Sequence, residues 1–165
     1  MTTPWTSPRS ITQYAEPGAD AVHVAWLSPE SFPTKTHRDL LHIARSPKID
    51  DTDRTWYLSL TDFRFVGLPD VVTGIALRVA ANRRGRITDE TLQLCLAGEP
   101  IGKNRADMDL SPIKIYGGET DLWNTELTVS DLRDPGFGIL LRFQSHPHWP
   151  HKDSAILDRV ELQIY

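Results

Sequence analysis

Alternation with period two dominates this chain from Thr55 onward. Trp56, Leu58 and Leu60 alternate with Tyr57 and Ser59, and Phe63 and Phe65 resume the pattern after Thr61-Asp62. Ile75, Leu77 and Val79 alternate with Ala76, Arg78 and Ala80, and Leu92, Leu94 and Leu96 with Thr91, Gln93 and Cys95. Val160, Leu162 and Ile164 do the same against Arg159, Glu161 and Gln163. Successive side chains of a strand point to opposite faces, so each run has one face buried and one facing water. An inward Leu or Ile contributes about 2 kcal/mol of burial, and a one-residue slip forfeits several together. Register is firmly set. Phe137 to Phe143 is apolar on both faces and reads as a central strand. No stripe of period 3.6, heptad or internal repeat is sustained; only Thr128 to Arg133 reads as a helical turn, capped by Thr128 or Ser130. The expected fold is all-β: an antiparallel β-sandwich or jelly roll with at most one short helical turn.

Twelve prolines and ten glycines are spread along the 165 residues, as short strands with intervening turns require. Gly67-Leu68-Pro69-Asp70 is one such turn. Ala21 to Leu27 reads as a first strand, Ser28 to Arg38 as a loop and Leu40 to Ala44 as a short strand. Pro4, Pro8 and Pro17 lie among threonines and serines near the start. Proline has no amide donor, so residues 1–20 are expected to form an arm or an edge, with 21–165 as a single sandwich domain. The arm is expected to add little to its own sandwich and to reach a neighbouring subunit, with Trp5 and Tyr14 as interface residues.

Hydrophobic residues at 39% and charged residues at 24% describe an ordinary globular chain. A net charge of -4 lacks the basic excess with which duplex-binding modules displace counterions, so nucleic acid is not an expected partner. The one dense basic stretch, Asn82 to Arg86, reads as a solvated turn. Cys95 is the single cysteine, which excludes an intramolecular disulfide or a thiolate metal site and suits a buried structural thiol. No basic segment leads into an apolar run at the start, and no run approaches the ~18 residues of a membrane span. A soluble chain without a membrane span is expected.

His146-Pro147-His148-Trp149-Pro150-His151, with Asp153 nearby, is the cluster most able to hold a divalent ion. The competing reading of His146, His148 and His151 is an exposed hairpin loop, and neither metal nor cofactor is expected. Asp50-Asp51-Asp53 and Asp107/Asp109 read as loop carboxylates without the glycine and distal glutamate of a calcium loop. A nucleophile elbow and a phosphate-binding glycine loop are both missing, so no catalytic residue is expected and the chain is not read as an enzyme. Of the five tryptophans, Trp56 reads as core, and Trp149, in its loop, as the candidate contact for a glycan.

Leu60-Thr61-Asp62-Phe63-Arg64-Phe65, then Leu68-Pro69, then Thr73-Gly74-Ile75, resembles a β-sandwich module of tailed-bacteriophage virion proteins. Tyr116-Gly117-Gly118-Glu119-Thr120-Asp121-Leu122-Trp123 is similar to its most recognisable signature, and Phe137-Gly138-Ile139 and Leu157-Asp158-Arg159-Val160 to its closing strands. Asn124 stands where the module often has glycine, and the first fifty residues match only through an early Trp-x-x-Pro. On physical grounds, Gly117-Gly118 permits positive φ at a tight turn, Asp121 accepts backbone hydrogen bonds there, and Leu122-Trp123 anchors the loop in the core. The resemblance implies a structural or accessory part of a phage-like particle, assembled in the host cytoplasm, without placing it on head or tail. In a short, single-domain chain with a proline-rich arm and no catalytic constellation, a non-enzymatic capsid decoration protein on the head surface is the leading expectation. Its partners would be the major capsid protein or tail proteins, and copies of itself as a homo-oligomer. A tail, baseplate or fibre-tip accessory protein, or a carbohydrate-binding module on host surface glycans, is the alternative.

Overall fold

The computed structural model describes residues 1–16, 23–26, 39–44, 54–146 and 152–165. The chain runs through β1 (Ser10–Tyr14), β2 (His23–Val24), β3 (Asp39–Ala44), β4 (Arg54–Thr55), β5 (Tyr57–Thr61) and β6 (Ile75–Arg84). It continues through β7 (Ile87–Leu96), β8 (Glu99–Ile101), β9 (Ile113–Gly118), α1 (Val129–Arg133), β10 (Gly138–Ser145) and β11 (Lys152–Ile164). One sheet has the order β3-β11-β6-β9; the other is built on β10, which pairs with β5 and β4 along one edge and β7 along the other. β1 extends that second sheet beyond β5, and β8 beyond β7. All of these ladders are antiparallel, and the short β2–β4 pair is parallel. The expected all-β sandwich is what forms.

Leu58, Leu60, Leu92, Leu94, Ile139, Leu141 and Phe143 from one sheet meet Ile75, Leu77, Val79, Val160, Leu162 and Ile164 from the other in a single core. These are the inward residues of the alternating runs. β10 is central and buried on both faces, as its sequence requires. Two bulges adjust the phase. In β11 the register shifts between Leu157 and Arg159, so Ala155 and Leu157 face inward on one side of Asp158 and Val160 on the other. In β7 the ladder with β10 slips at Glu90, between the pairs Arg142↔Thr91 and Phe143↔Asp89.

The N-terminal segment lies on its own sandwich. Thr3 and Thr6 hydrogen-bond to the backbone of Ile164 and Leu162 at 2.9 Å, and the Thr3 hydroxyl accepts the Ile164 amide at 2.9 Å. Beyond the buried Pro8 the chain crosses to the other sheet, where Ser10 to Tyr14 pair with Thr61 to Tyr57. Ile11 joins the core. The expectation that this segment adds little to the interior is therefore corrected: its prolines flank the ladder rather than interrupt it. The expected boundary at residue 20 lies outside the described residues, as does the loop from Ser28 to Arg38. Of the strand expected over Ala21 to Leu27, the described part pairs only at His23–Val24.

Phe63 and Phe65 alternate for a different reason from the one expected. The backbone there is no strand: Asp62 and Arg64 have φ of 56° and 46°, and the two rings stack at 5.7 Å. The single helical turn is α1, where Thr128 and Asp131 form a reciprocal capping box and Leu132 is buried.

Candidate functional site

The bulge at Glu90 decides which acidic side chain enters the sandwich. Counting back from Leu94 and Leu92, strict alternation would turn Glu90 inward. The extra residue turns Asp89 inward instead and puts Glu90 on the outer face with Arg142. Asp89 then meets the inward side of the opposite sheet. Its carboxylate accepts from Arg83 Nη2 of β6 at 2.7 Å, from Lys114 Nζ of β9 at 3.0 Å, and from the Tyr116 hydroxyl.

The network extends to the loop leading into β9. Lys114 Nζ also donates to the Asp107 carboxylate and to the Asp109 carbonyl, the latter at 3.0 Å, while Arg83 Nη1 donates to the Ser111 carbonyl at 3.1 Å. The Asp89, Arg83 and Lys114 side chains are 1%, 3% and 5% exposed, so each charge is compensated by its neighbours rather than by water. Burial, and then the adjacent Asp89 charge, push the Tyr116 phenol well above its ordinary range, which keeps it a hydrogen-bond donor. Asp109 is held below its usual range by hydrogen bonds from the Ser111 hydroxyl and amide.

One expectation is corrected here. Arg83 does not belong to a solvated turn; its alternate position in β6 carries it into the interior, where it also lies over the Phe143 ring at 5.1 Å. The turn proper is confined to Gly85-Arg86, with Gly85 at φ 88°. Asp107 is exposed, as a loop carboxylate is expected to be, and its carboxylate also accepts from the Lys114 ammonium.

A second network covers the outer face of the β10 sheet. Arg142 donates to both Glu90 oxygens, at 2.7 and 2.9 Å, and to Glu16 at 2.9 Å, and lies 4.1 Å from the Tyr57 ring centroid. Burial raises the Glu90 pKa, but hydrogen bonds from Arg142 and Thr91 outweigh it and hold the group below the usual range. Tyr14 stacks on Tyr57 at 5.2 Å. Trp5, the other expected interface residue, is half-buried under Arg78, whose guanidinium lies 4.5 Å from its ring. Cys95 is fully buried, and burial pushes its thiol up to about 11.

The signature segment turns on Gly117, at φ 72°, where an added Cβ would sit 2.2 Å from the Ile75 carbonyl. Asp121 accepts the Trp123 amide at 2.8 Å and the Arg105 guanidinium at 2.6 Å. Trp123 is completely buried and donates its indole N–H to the Ile75 carbonyl at 3.0 Å. Trp123 and Asn124 both have positive φ, 58° and 56°, so asparagine suits the position after the tryptophan on conformational grounds. Trp26 is buried beside Phe143, and Trp56 is half-buried against the core.

His146 bonds through Nε2 to the Thr88 hydroxyl at 2.7 Å. His148, Trp149 and His151, and the run Asp50-Asp51-Asp53, lie outside the described residues. Among the described residues, no three histidine, cysteine or acidic side chains are grouped to hold a metal, and no helix is long and apolar enough to cross a membrane.

The sequence offered one overlooked signal for this site. Ile113-Lys114-Ile115-Tyr116 alternates, but with inverted polarity: Lys114 and Tyr116 are buried while Ile113 and Ile115 are 64% and 61% exposed. The result is an internally neutralised end of the sandwich beside an edge strand whose outward residues Ile113 and Ile115 are apolar. No protein-family model matches this sequence, and no match is found among curated proteins or solved structures.

Proposed function

We propose that this chain is a non-enzymatic structural protein of a tailed phage or phage-like particle, seated on the head surface as a decoration protein. The observation that carries the reading is the signature segment. Gly117, Asp121 and Trp123, in the segment that resembles the module's signature, each serve backbone conformation and anchoring. The charged groups of both networks are directed at one another, which stabilises a shape rather than presenting a reactive group. What remains for interaction is surface, and several exposed large apolar side chains gather on one strand and its approach loop.

The test is sedimentation of particles from a host that expresses a tagged chain. The reading expects the tag in the particle band and, after heads and tails are separated, with the heads. A tag found with tails would move the assignment to a baseplate or fibre accessory. A tag left wholly in the supernatant would contradict a structural role.

A further inference from the structure

We infer that Lys114 and Asp107 condense to a side-chain amide in the folded chain, with Asp89 as general base, joining β9 covalently to the loop that leads into it.

An ion pair needs one acid, and this buried amine has two. Lys114 Nζ donates to the Asp107 carboxylate, to Asp89 Oδ2 at 3.0 Å and to the Asp109 carbonyl at 3.0 Å. Condensing an amine with an acid takes a nucleophile, an electrophile, a base at the amine, and a donor at the oxygen where negative charge develops. Four groups here fill those roles: Lys114 Nζ, Asp107 Cγ, the Asp89 carboxylate and the Asp109 amide, which donates to Asp107 Oδ1 at 2.9 Å. Reacting groups held in contact have effective molarities of roughly 10⁵–10⁸ M, which offsets the unfavourable condensation of a free amine and acid in water.

Charge decides which acid reacts. Condensation removes one positive and one negative charge. Reaction at Asp89 would leave the buried Arg83 guanidinium without its carboxylate. Reaction at Asp107 leaves Arg83 and Asp89 paired at 2.7 Å. A carboxylate paired with a guanidinium is also a poor electrophile and a serviceable base. Asp107 is exposed on its other side, so the water released there has a way out.

The protons balance within the cluster. One ammonium proton passes along the hydrogen bond to Asp107, giving a neutral amine beside a neutral carboxyl. Nζ attacks Cγ and the C–N bond forms, with negative charge gathering on Oδ1 under the Asp109 amide. Asp89 takes a second proton from Nζ and returns it to the departing hydroxyl, so the C–O bond breaks with loss of one water. The third proton stays on the new amide and still donates to Asp89. The ion pairs of Lys114 are therefore those of the precursor. The bridge spans seven residues, so it constrains the unfolded chain little and acts locally, fixing the loop that carries Met108 and Leu110 against β9. The reaction runs once, within the chain, and does not depend on the virion reading.

The experiment is the intact mass of the purified full chain in denaturant, expected to lie below that of its sequence by one water. Met1 and Met108 are its two methionines, so cyanogen bromide cuts between Asp107 and Lys114. An amide joining those residues keeps 1–108 and 109–165 together on a denaturing gel. Lys114→Arg, which keeps the charge, and Asp107→Ala, which alters an exposed loop residue, should both show the full mass and separate fragments, with wild-type circular dichroism. Asp89→Asn should leave most of the chain unlinked. A wild-type chain of full mass whose fragments separate would overturn the inference. So would a water loss that survives Lys114→Arg, which marks a succinimide at an aspartate, or a crosslink that maps to Asp89. An Asp89→Asn chain linked as fully as wild type would remove Asp89 from the reaction.

Discussion

Lys114 of β9 reaches across the sandwich to Asp89 of β7, Nζ to Oδ2 3.0 Å, so one ion pair joins the two sheets at their end. The pair exists because a bulge and an inverted strand meet. The bulge turns Asp89 inward, and β9 puts Lys114 inward and its isoleucines outward.

Breaking that pair from one side should be costly. Lys114→Ala leaves Asp107 without a charged partner and Asp89 with Arg83 alone, and should destabilise the fold by less than the ~3–5 kcal/mol of a fully orphaned buried charge, read as a lower urea midpoint at unchanged slope. Lys114→Ala combined with Asp89→Asn should lose less than the sum of the singles. Additive losses would show that the two groups do not interact.

The N-terminal segment gives a second expectation. Removing Met1 to Glu16 takes β1 from β5, Ile11 from the core and Thr3 from Ile164. Burial of one Ile alone is worth about 2 kcal/mol, and the lost backbone pairing adds to it. The truncated chain should melt roughly 10 °C lower. An unchanged melting temperature together with lost particle binding would restore the reading of this segment as a free arm.

Much of the sandwich was legible because its inward residues repeat with period two. Leu58, Leu94, Leu162 and the central β10 could be placed from pattern alone, as could the capped turn at Thr128. The ion network could not. Alternation carried through Glu90 assigns the wrong carboxylate to the interior, and nothing local in the sequence announces the bulge. Arg83 was hidden for a related reason: arginines beside a turn suggest solvent, and only the partner across the sheets makes an inward one stable. β9 left a readable trace in the pattern of Ile113 to Tyr116, but its polarity runs against the rule that apolar residues face inward.

Alkaline pH supplies a third expectation. Burial raises Cys95 from 9.0 to about 11, so the folded chain holds its proton longer than the unfolded chain. Its contribution is full below pH 9 and is lost as pH climbs toward about 11, a fall of about 2–3 kcal/mol. Tyr116, raised by burial and Asp89, acts in the same direction from about pH 10 upward. Urea midpoints measured between neutral pH and about 11 should decline, and Cys95→Ala should flatten the first part of that decline. An identical profile in both chains would show that the thiol does not titrate late.

The signature loop gives a fourth. Gly117→Ala forces a Cβ to 2.2 Å from the Ile75 carbonyl at φ 72° and should abolish the stable fold. Trp123→Phe keeps most of the burial but removes the hydrogen bond to that carbonyl, for a loss of about 1 kcal/mol in urea unfolding. A neutral Trp123→Phe would mean that the indole hydrogen bond does not anchor the loop.

The central claim is that this sandwich acts by binding a particle surface in defined copy number. The most direct measurement adds purified chain to particles assembled without it and counts bound copies by quantitative mass spectrometry as concentration rises. The account predicts saturation at a fixed number of copies on the heads, undiminished by free sugars. Binding that never saturates, that is displaced by glycans, or that is absent from the particles altogether would contradict it.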